Sequence, residues 1–234
     1  VNDGSLLLGF HGCDITTRDK LLTGRLAGLS PSENMYDWLG PGVYFFENDA
    51  ERARNFAQSA CDNPDRLYTR RPIATPAVVG AVLCVSRSID MTTQTGIKMW
   101  EHGYLQLVSM SEASGQPMPV NGDAADGDDT VLVRKLDYAV FSALHKQIAQ
   151  ANRAKMHLVR GAFHQGNQLL GTSTGFRSLS HVQLAVTDPS CIVAWFLPRG
   201  DRLLTPSQFA AAEVAYAKAE KVRRDAKPRV RAKG

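Results

Sequence analysis

A chain of 234 residues with 44% hydrophobic, 21% charged and 8% aromatic side chains can bury one ordinary core, and one domain with insertions is expected over two. That composition excludes collagen-like, coiled-coil and wholly disordered chains, and no apolar run is long enough to span a membrane or form a signal segment. The net charge of +4 is uneven: between Lys218 and Gly234 eight Lys or Arg face two acids, leaving nineteen bases against twenty-one acids elsewhere. A near-neutral body with a basic tail argues against a nucleic-acid groove across the body; the tail itself is either a solubilising or linker segment or steers a polyanion, an acidic surface or a bacterial membrane face. Cys13, Cys61, Cys84 and Cys191 are too scattered for a zinc pattern or a dense disulfide scaffold, and reduced thiols fit a cytosolic working environment.

In chain order, Leu6 to Phe10 reads as a short strand that enters a turn at His11-Gly12. Thr17 to Leu22 reads as a helix closed near Gly24. Val43 to Phe46 is a strand, and Asn48 or Asp49 caps a helix from Ala50 to about Cys61, with Ala53, Phe56, Ala57 and Ala60 at helical spacing. Ala77 to Val85 is apolar enough for a central strand, while Ile97 to Met110 fits helix or strand. Residues 111–129 hold three Gly, two Pro and four Asp and read as an exposed, flexible insertion. Leu136 to Ala151 is amphipathic, and Leu158 to Phe163, His181 to Val186 and Cys191 to Leu197 read as strands. Thr205-Pro206-Ser207-Gln208 is a capping box that opens an Ala-rich helix. The class is α+β, with residues 1–204 as one domain and 205–234 as a C-terminal helix and basic tail.

Two places could carry chemistry. His11 precedes a glycine, so its ring could stand at a strand edge where the Gly12 backbone approaches a ligand, although a structural histidine is the commoner outcome. The stretch Tyr36-Asp37-Trp38-Leu39-Gly40-Pro41-Gly42-Val43-Tyr44-Phe45 crowds flat rings and bare backbone. That arrangement suits a stacked planar heterocycle, or equally a core aromatic cluster with a tight turn.

These residues resemble the ADP-ribosyltransferase superfamily of the PARP or diphtheria-toxin type. His11-Gly12-Cys13 is similar to its opening H-G-[ST] element, and Gly40-x-Gly42-Val43-Tyr44-Phe45 is similar to G-x-G-[IV]-Y-F. Phe56 falls close to where the family keeps a second stacking Tyr, and Gln183 on His181-Val182-Gln183-Leu184-Ala185-Val186 falls at the third signature position. The likeness spans about Leu6 to Pro198 and makes a His-Tyr-Gln variant of a His-Tyr-Glu signature. It implies a split β-sheet core with peripheral helices.

The resemblance implies NAD as co-substrate and no metal. His11, Tyr44 and Gln183 would be catalytic, and His11, Gly12, Tyr36, Gly42, Tyr44 and Phe56 would bind the dinucleotide. His11 would support the adenosine-side ribose, the backbone after it the nicotinamide carboxamide, and two aromatic faces the nicotinamide ring. A cavity that fixes the dinucleotide and stabilises an oxocarbenium-like ribose accounts for the rate. Gln183 keeps an acceptor oxygen but lacks the carboxylate's charge and cannot act as a general base at neutral pH. Glu47, Asp49, Glu112, His164 and His181 are candidate bases, each with a simpler surface or packing role, and Asp137 matches a recurring family Asp. Arg160 or Arg177 could meet a phosphate.

The implied function is mono-ADP-ribosyl transfer to a macromolecular acceptor, protein, RNA or DNA, by a bacterial toxin or effector domain. Such a domain would act in the cytoplasm, could be delivered from another cell as part of a larger protein, and could have an immunity protein or antitoxin as partner. NAD glycohydrolase and a non-catalytic NAD or ADP-ribose binding module are the alternatives. No G-x-G-x-x-G follows a strand, which disfavours a dinucleotide-binding dehydrogenase.

Overall fold

The computed structural model describes residues 4–32, 34, 37–64, 69–122, 133–151, 155–171 and 173–225. Its strands are β1 (Ser5–Asp14), β2 (Val43–Glu47), β3 (Pro76–Val85), β4 (Ser88–Asp90), β5 (Asn121–Gly122), β6 (Val133–Arg134), β7 (Leu158–Phe163), β8 (His181–Val186) and β9 (Ile192–Phe196). Its helices are α1 (Ile15–Leu22), α2 (Ala50–Asp62), α3 (Gln94–Ser114), α4 (Lys135–Gln150) and α5 (Pro206–Asp225). Seven strands form one mixed sheet in the order β4-β7-β8-β2-β1-β3-β9, and β5 and β6 pair separately. Only β4 and β7 run parallel within the large sheet. Among the described residues no helix is long and apolar enough to cross a membrane.

The apolar segments occupy the middle of this sheet. β1 and β3 pair along their full length, from Ser5 opposite Val85 to Asp14 opposite Pro76. Strand alternation then sorts side chains to two faces. One face carries Val43, Phe45, Ala81, Leu83, Leu184 and Val186, packed with Leu29 and Trp195. On the other face, Val159 and Ala185 meet Val140, Phe141 and Leu144 of α4, with Met99 and Tyr104 of α3 alongside. On that same face Phe46 and Val78 pack against Ala53 of α2. Thus α4 covers the β7–β8 half and α2 the β1–β3 half, and the strip between them holds part of the candidate site.

The helix ends follow local chemistry. The Asp14 carboxylate accepts from Thr16 N and Thr16 Oγ1 at 2.9 and 2.7 Å, and its second oxygen accepts from Ala74 N and Thr75 N, so the cap of α1 also fastens β1 to the entry of β3. Asp49 caps α2 by accepting from Arg52 N at 2.8 Å. The capping box of α5 forms reciprocally: Thr205 N donates to Gln208 Oε1 and Gln208 N to Thr205 Oγ1.

Three sequence expectations change. β1 does not stop before His11-Gly12 but runs to Asp14, because β3 supplies partners for both residues. The undecided segment around Ile97 to Met110 is helix, capped by Thr93 and closed by Gly115 at φ 67°. Residues 111–114 therefore belong to α3 rather than to the insertion. The rest of that insertion beyond Gly122 lies outside the described residues.

Gly12 has a packing reason of its own. A Cβ there would lie 2.3 Å from the Ala53 carbonyl oxygen, so α2 can rest on β1 only above a bare backbone. Gly12→Ala is expected to cost about 2–3 kcal/mol by overpacking, a fall of roughly 5–10 °C in melting temperature. Thermal unfolding by circular dichroism checks this, and an unchanged midpoint would mean that α2 does not sit on β1 as described.

Candidate functional site

The site begins where two neighbouring strands part. β1 and β2 pair only at Gly9 with Glu47 and Phe10 with Phe46. The Asn48 N–H donates to the Leu8 carbonyl, so by alternation Leu8, Phe10 and Gly12 turn their main-chain groups toward β2. Continued pairing would set Gly12 opposite Tyr44, but the ladder has already ended. His11 Nδ1 instead donates to the Tyr44 carbonyl oxygen at 2.7 Å. A carbonyl only accepts, so Nδ1 carries the proton and Nε2 of the neutral ring is an acceptor. Burial lowers the His11 pKa, opposed by this bond, which keeps the ring neutral at pH 7. The ring also meets Phe45 edge-on at 5.7 Å between centroids.

Tyr44 does a different job with its side chain. Its hydroxyl donates to the Gly40 carbonyl at 2.8 Å and accepts from Leu39 N at 3.1 Å. The phenol thus closes the turn through Gly40, which stands at φ 81° with a prospective Cβ 2.8 Å from Phe141 Cβ. Desolvation raises the Tyr44 pKa well above its ordinary value, so it remains a neutral phenol. Gly42 is tied to Ser32 by a two-way backbone bridge and packs against the Val186 carbonyl, 2.8 Å from a prospective Cβ. Tyr36 lies outside the described residues.

Gln183, on β8, sits opposite Phe46 of β2 and opposite Gly161 of β7. The Trp38 indole N–H donates to Gln183 Oε1 at 2.6 Å. An indole only donates, which fixes the amide orientation: one oxygen lone pair is used and the NH₂ faces away. Trp38 lies over Gly161, where a Cβ would come within 2.6 Å of its six-membered ring. Its ring is 5.0 Å from Phe163, and the Arg134 guanidinium stands over both, 4.8 Å from the Trp38 ring and 5.3 Å from the Phe163 ring. Phe163 and Phe46 flank His181, and Phe56 packs on Phe46 at 6.0 Å.

The arrangement brings some predicted residues together and keeps others apart. His11 and the Tyr44 backbone meet where β1 and β2 part, while Gln183 lies beside the aromatic strip of Trp38, Phe46 and Phe56. By strand alternation His11 shares a face with Phe45 and Leu184, and Tyr44 and Gln183 share the other. A ligand touching both would have to enter the gap beyond the Phe10–Phe46 pair. The aromatic stretch flagged Trp38, but its bond to Gln183 spans 145 positions and has no local signal. Arg134 was missed altogether, since nothing beside it in sequence marks it as a ring-stacking cation.

The auxiliary candidates have partners already. Arg160 Nε donates to Glu47 at 2.7 Å while its Nη1 reaches Asp90 and Thr92, so neither Arg160 nor Glu47 is uncommitted. Arg177 donates to the Gly166 carbonyl, and Asp137 pairs with Arg134 at 3.0 Å. His164 and Glu112 are exposed. Among the described residues no three His, Cys, Asp or Glu side chains gather as a metal site. Comparison with models of protein families, with curated proteins and with solved structures gives no match.

His181 is only 8% exposed, with Nδ1 bonded to the Leu179 carbonyl at 2.6 Å and Nε2 buried without a partner. Desolvation, with a smaller push from Arg52, brings its pKa down to about 4 against the opposing Leu179 bond and Asp49. Because the folded value lies below the unfolded one of roughly 6.5, the unfolded chain binds this proton more tightly. The stability contribution is complete above about pH 6.5 and lost as pH falls through 4, on the order of 3 kcal/mol in all. Melting temperatures taken from pH 7.5 to 4.5 should fall more steeply for the native chain than for His181→Asn, whose amide can still donate to Leu179. Equal slopes would refute a buried neutral His181.

Proposed function

We propose that the chain is a mono-ADP-ribosyltransferase that cleaves NAD and passes ADP-ribose to a macromolecular acceptor. The observation that carries this reading is the opening between β1 and β2, where His11 holds the Tyr44 carbonyl and the Gly12 main chain is left facing the gap. β1 and β2 remain neighbours in one seven-stranded sheet, and their early parting supports the split core that the resemblance implies. His11 Nε2, neutral and lacking a proton, suits a ribose hydroxyl as donor. The Gly12 amide and carbonyl offer one donor and one acceptor, the pair that a carboxamide needs. Tyr44 holds the turn that leads into β2, and the half-buried Phe56 ring offers an aromatic face nearby.

In the proposed reaction the glycosidic bond between ribose C1′ and the nicotinamide nitrogen breaks, and its electron pair leaves with nicotinamide. The acceptor's nucleophile forms the new bond to C1′ and gives up its proton. Gln183 would act on the ribose through the remaining lone pair of its oxygen, stabilising by dipole rather than by charge. Acting as a bacterial toxin, with an immunity protein or antitoxin as partner, rests on the resemblance alone.

A second reading has its own support. Gln183 carries no charge and has given one lone pair to Trp38, which favours a module that binds NAD or ADP-ribose without cleaving it. NAD glycohydrolase is a third outcome of the same site, with water as the acceptor.

Incubation with labelled NAD and a cell extract split into protein, RNA and DNA fractions separates these readings. Transfer places label in one fraction together with nicotinamide release, and both should drop on the order of a hundredfold in Gln183→Ala. Gln183→Glu, which restores a carboxylate that Trp38 can still bond, should raise nicotinamide release. Release without label means hydrolysis. NAD binding without release, or full activity in Gln183→Ala, would overturn the proposal.

A further inference from the structure

A second place gathers charge and is lined by none of the residues named for the candidate site. A concavity of about 300 Å³ lies between the 70–72 segment and the last turns of α5, lined by Arg70, Arg71, Pro72, Glu220, Arg223 and Arg224. Four guanidinium groups against one carboxylate leave a surplus of three positive charges. The arginines come from two chain segments more than 150 positions apart, so the sequence alone scatters them between a loop and a tail. The structure draws them to one opening. Arg223 Nη2 donates to the Thr69 carbonyl, and Arg71 engages the Tyr216 hydroxyl, so two of the four are held in place before anything binds.

We propose that this concavity binds the phosphodiester backbone of a nucleic-acid strand. Guanidinium forks match anionic phosphate oxygens in geometry and charge, and a strand presents such oxygens at every repeat. The lining has no aromatic ring and no Asn or Gln, the groups that read bases, so recognition is of the backbone and independent of sequence. It also has no large apolar side chain, which a membrane surface or a mixed peptide would use. The inference does not rest on NAD chemistry, because binding is measured with no NAD present.

The test uses the full chain, so that the bases beyond residue 225 stay constant. Fluorescence anisotropy follows labelled single-stranded RNA and DNA oligonucleotides of several sequences over a salt series. Both should bind with little sequence preference, and log K should fall linearly with log salt. Arg70→Ala with Arg224→Ala, two exposed side chains, should weaken binding at least tenfold and flatten the salt slope by roughly one to two units. Glu220→Gln should tighten it about two- to threefold through the removed repulsion. Binding within twofold of native for the double variant would place the interaction elsewhere and overturn the proposal. So would weakened binding in Glu220→Gln, or capture of polyglutamate or phosphatidylserine vesicles in the absence of oligonucleotide binding.

Discussion

One hydrogen bond sets the character of the sheet's centre: His11 Nδ1 on the Tyr44 carbonyl. In an uninterrupted antiparallel ladder that carbonyl would take a main-chain N–H of β1. The imidazole takes its place, so the Tyr44 carbonyl is satisfied while the strands diverge. The opening thus avoids the cost of about 1–3 kcal/mol that an unpaired buried acceptor carries. His11 is kept neutral by burial, which outweighs the opposing pull of this bond toward the protonated ring.

Bare backbone does as much as side chains in shaping what surrounds the opening. Gly12 lets α2 settle on β1, and Gly161 lets Trp38 lie on β7 within reach of Gln183. Gly40 lets the turn pass over α4, and the Tyr44 hydroxyl then locks that turn from the strand side. The strip between α2 and α4 is consequently filled by flat rings rather than by a third helix. Arg134 over Trp38 and Arg52 over Phe46 place two guanidinium groups on those rings from opposite sides of the strip.

Much of the fold was legible because its signals are local. The apolar runs that became β3, β7 and β8, the caps of α2 and α5, and the two-residue alternation of β8 all lie within windows of a few residues. The end of β1 was misread because Gly12 looks like a turn residue in sequence, whereas its missing side chain answers to a helix forty positions away. The segment that became α3 was ambiguous for a different reason: it buries chiefly glycines, Gly96 and Gly103, so its apolar stripe is weak. For the candidate site, the Gly40 to Phe45 motif marked the right wall. The Trp38–Gln183 bond and the Arg134 stack were invisible, since each joins elements through tertiary contact alone.

The electrostatics of this region constrain whatever chemistry it performs. Glu47 is spent on Arg160, and Asp49 is spent on the first turn of α2. Gln183, where a charge would oppose a developing cation, is neutral. The two guanidinium groups on the rings would work against a positive centre, and the rings' own quadrupoles are already engaged with those guanidinium groups. In the proposed reaction, stabilisation of an oxocarbenium-like ribose would therefore come from oriented dipoles: the remaining Gln183 lone pair, and the Gly12 carbonyl where β1 and β2 part. Such dipoles are effective only when held rigidly and screened from water. In the proposed reaction that requirement would make the His11 to Tyr44 bond and the Tyr44-locked turn as important as any group that touches the substrate.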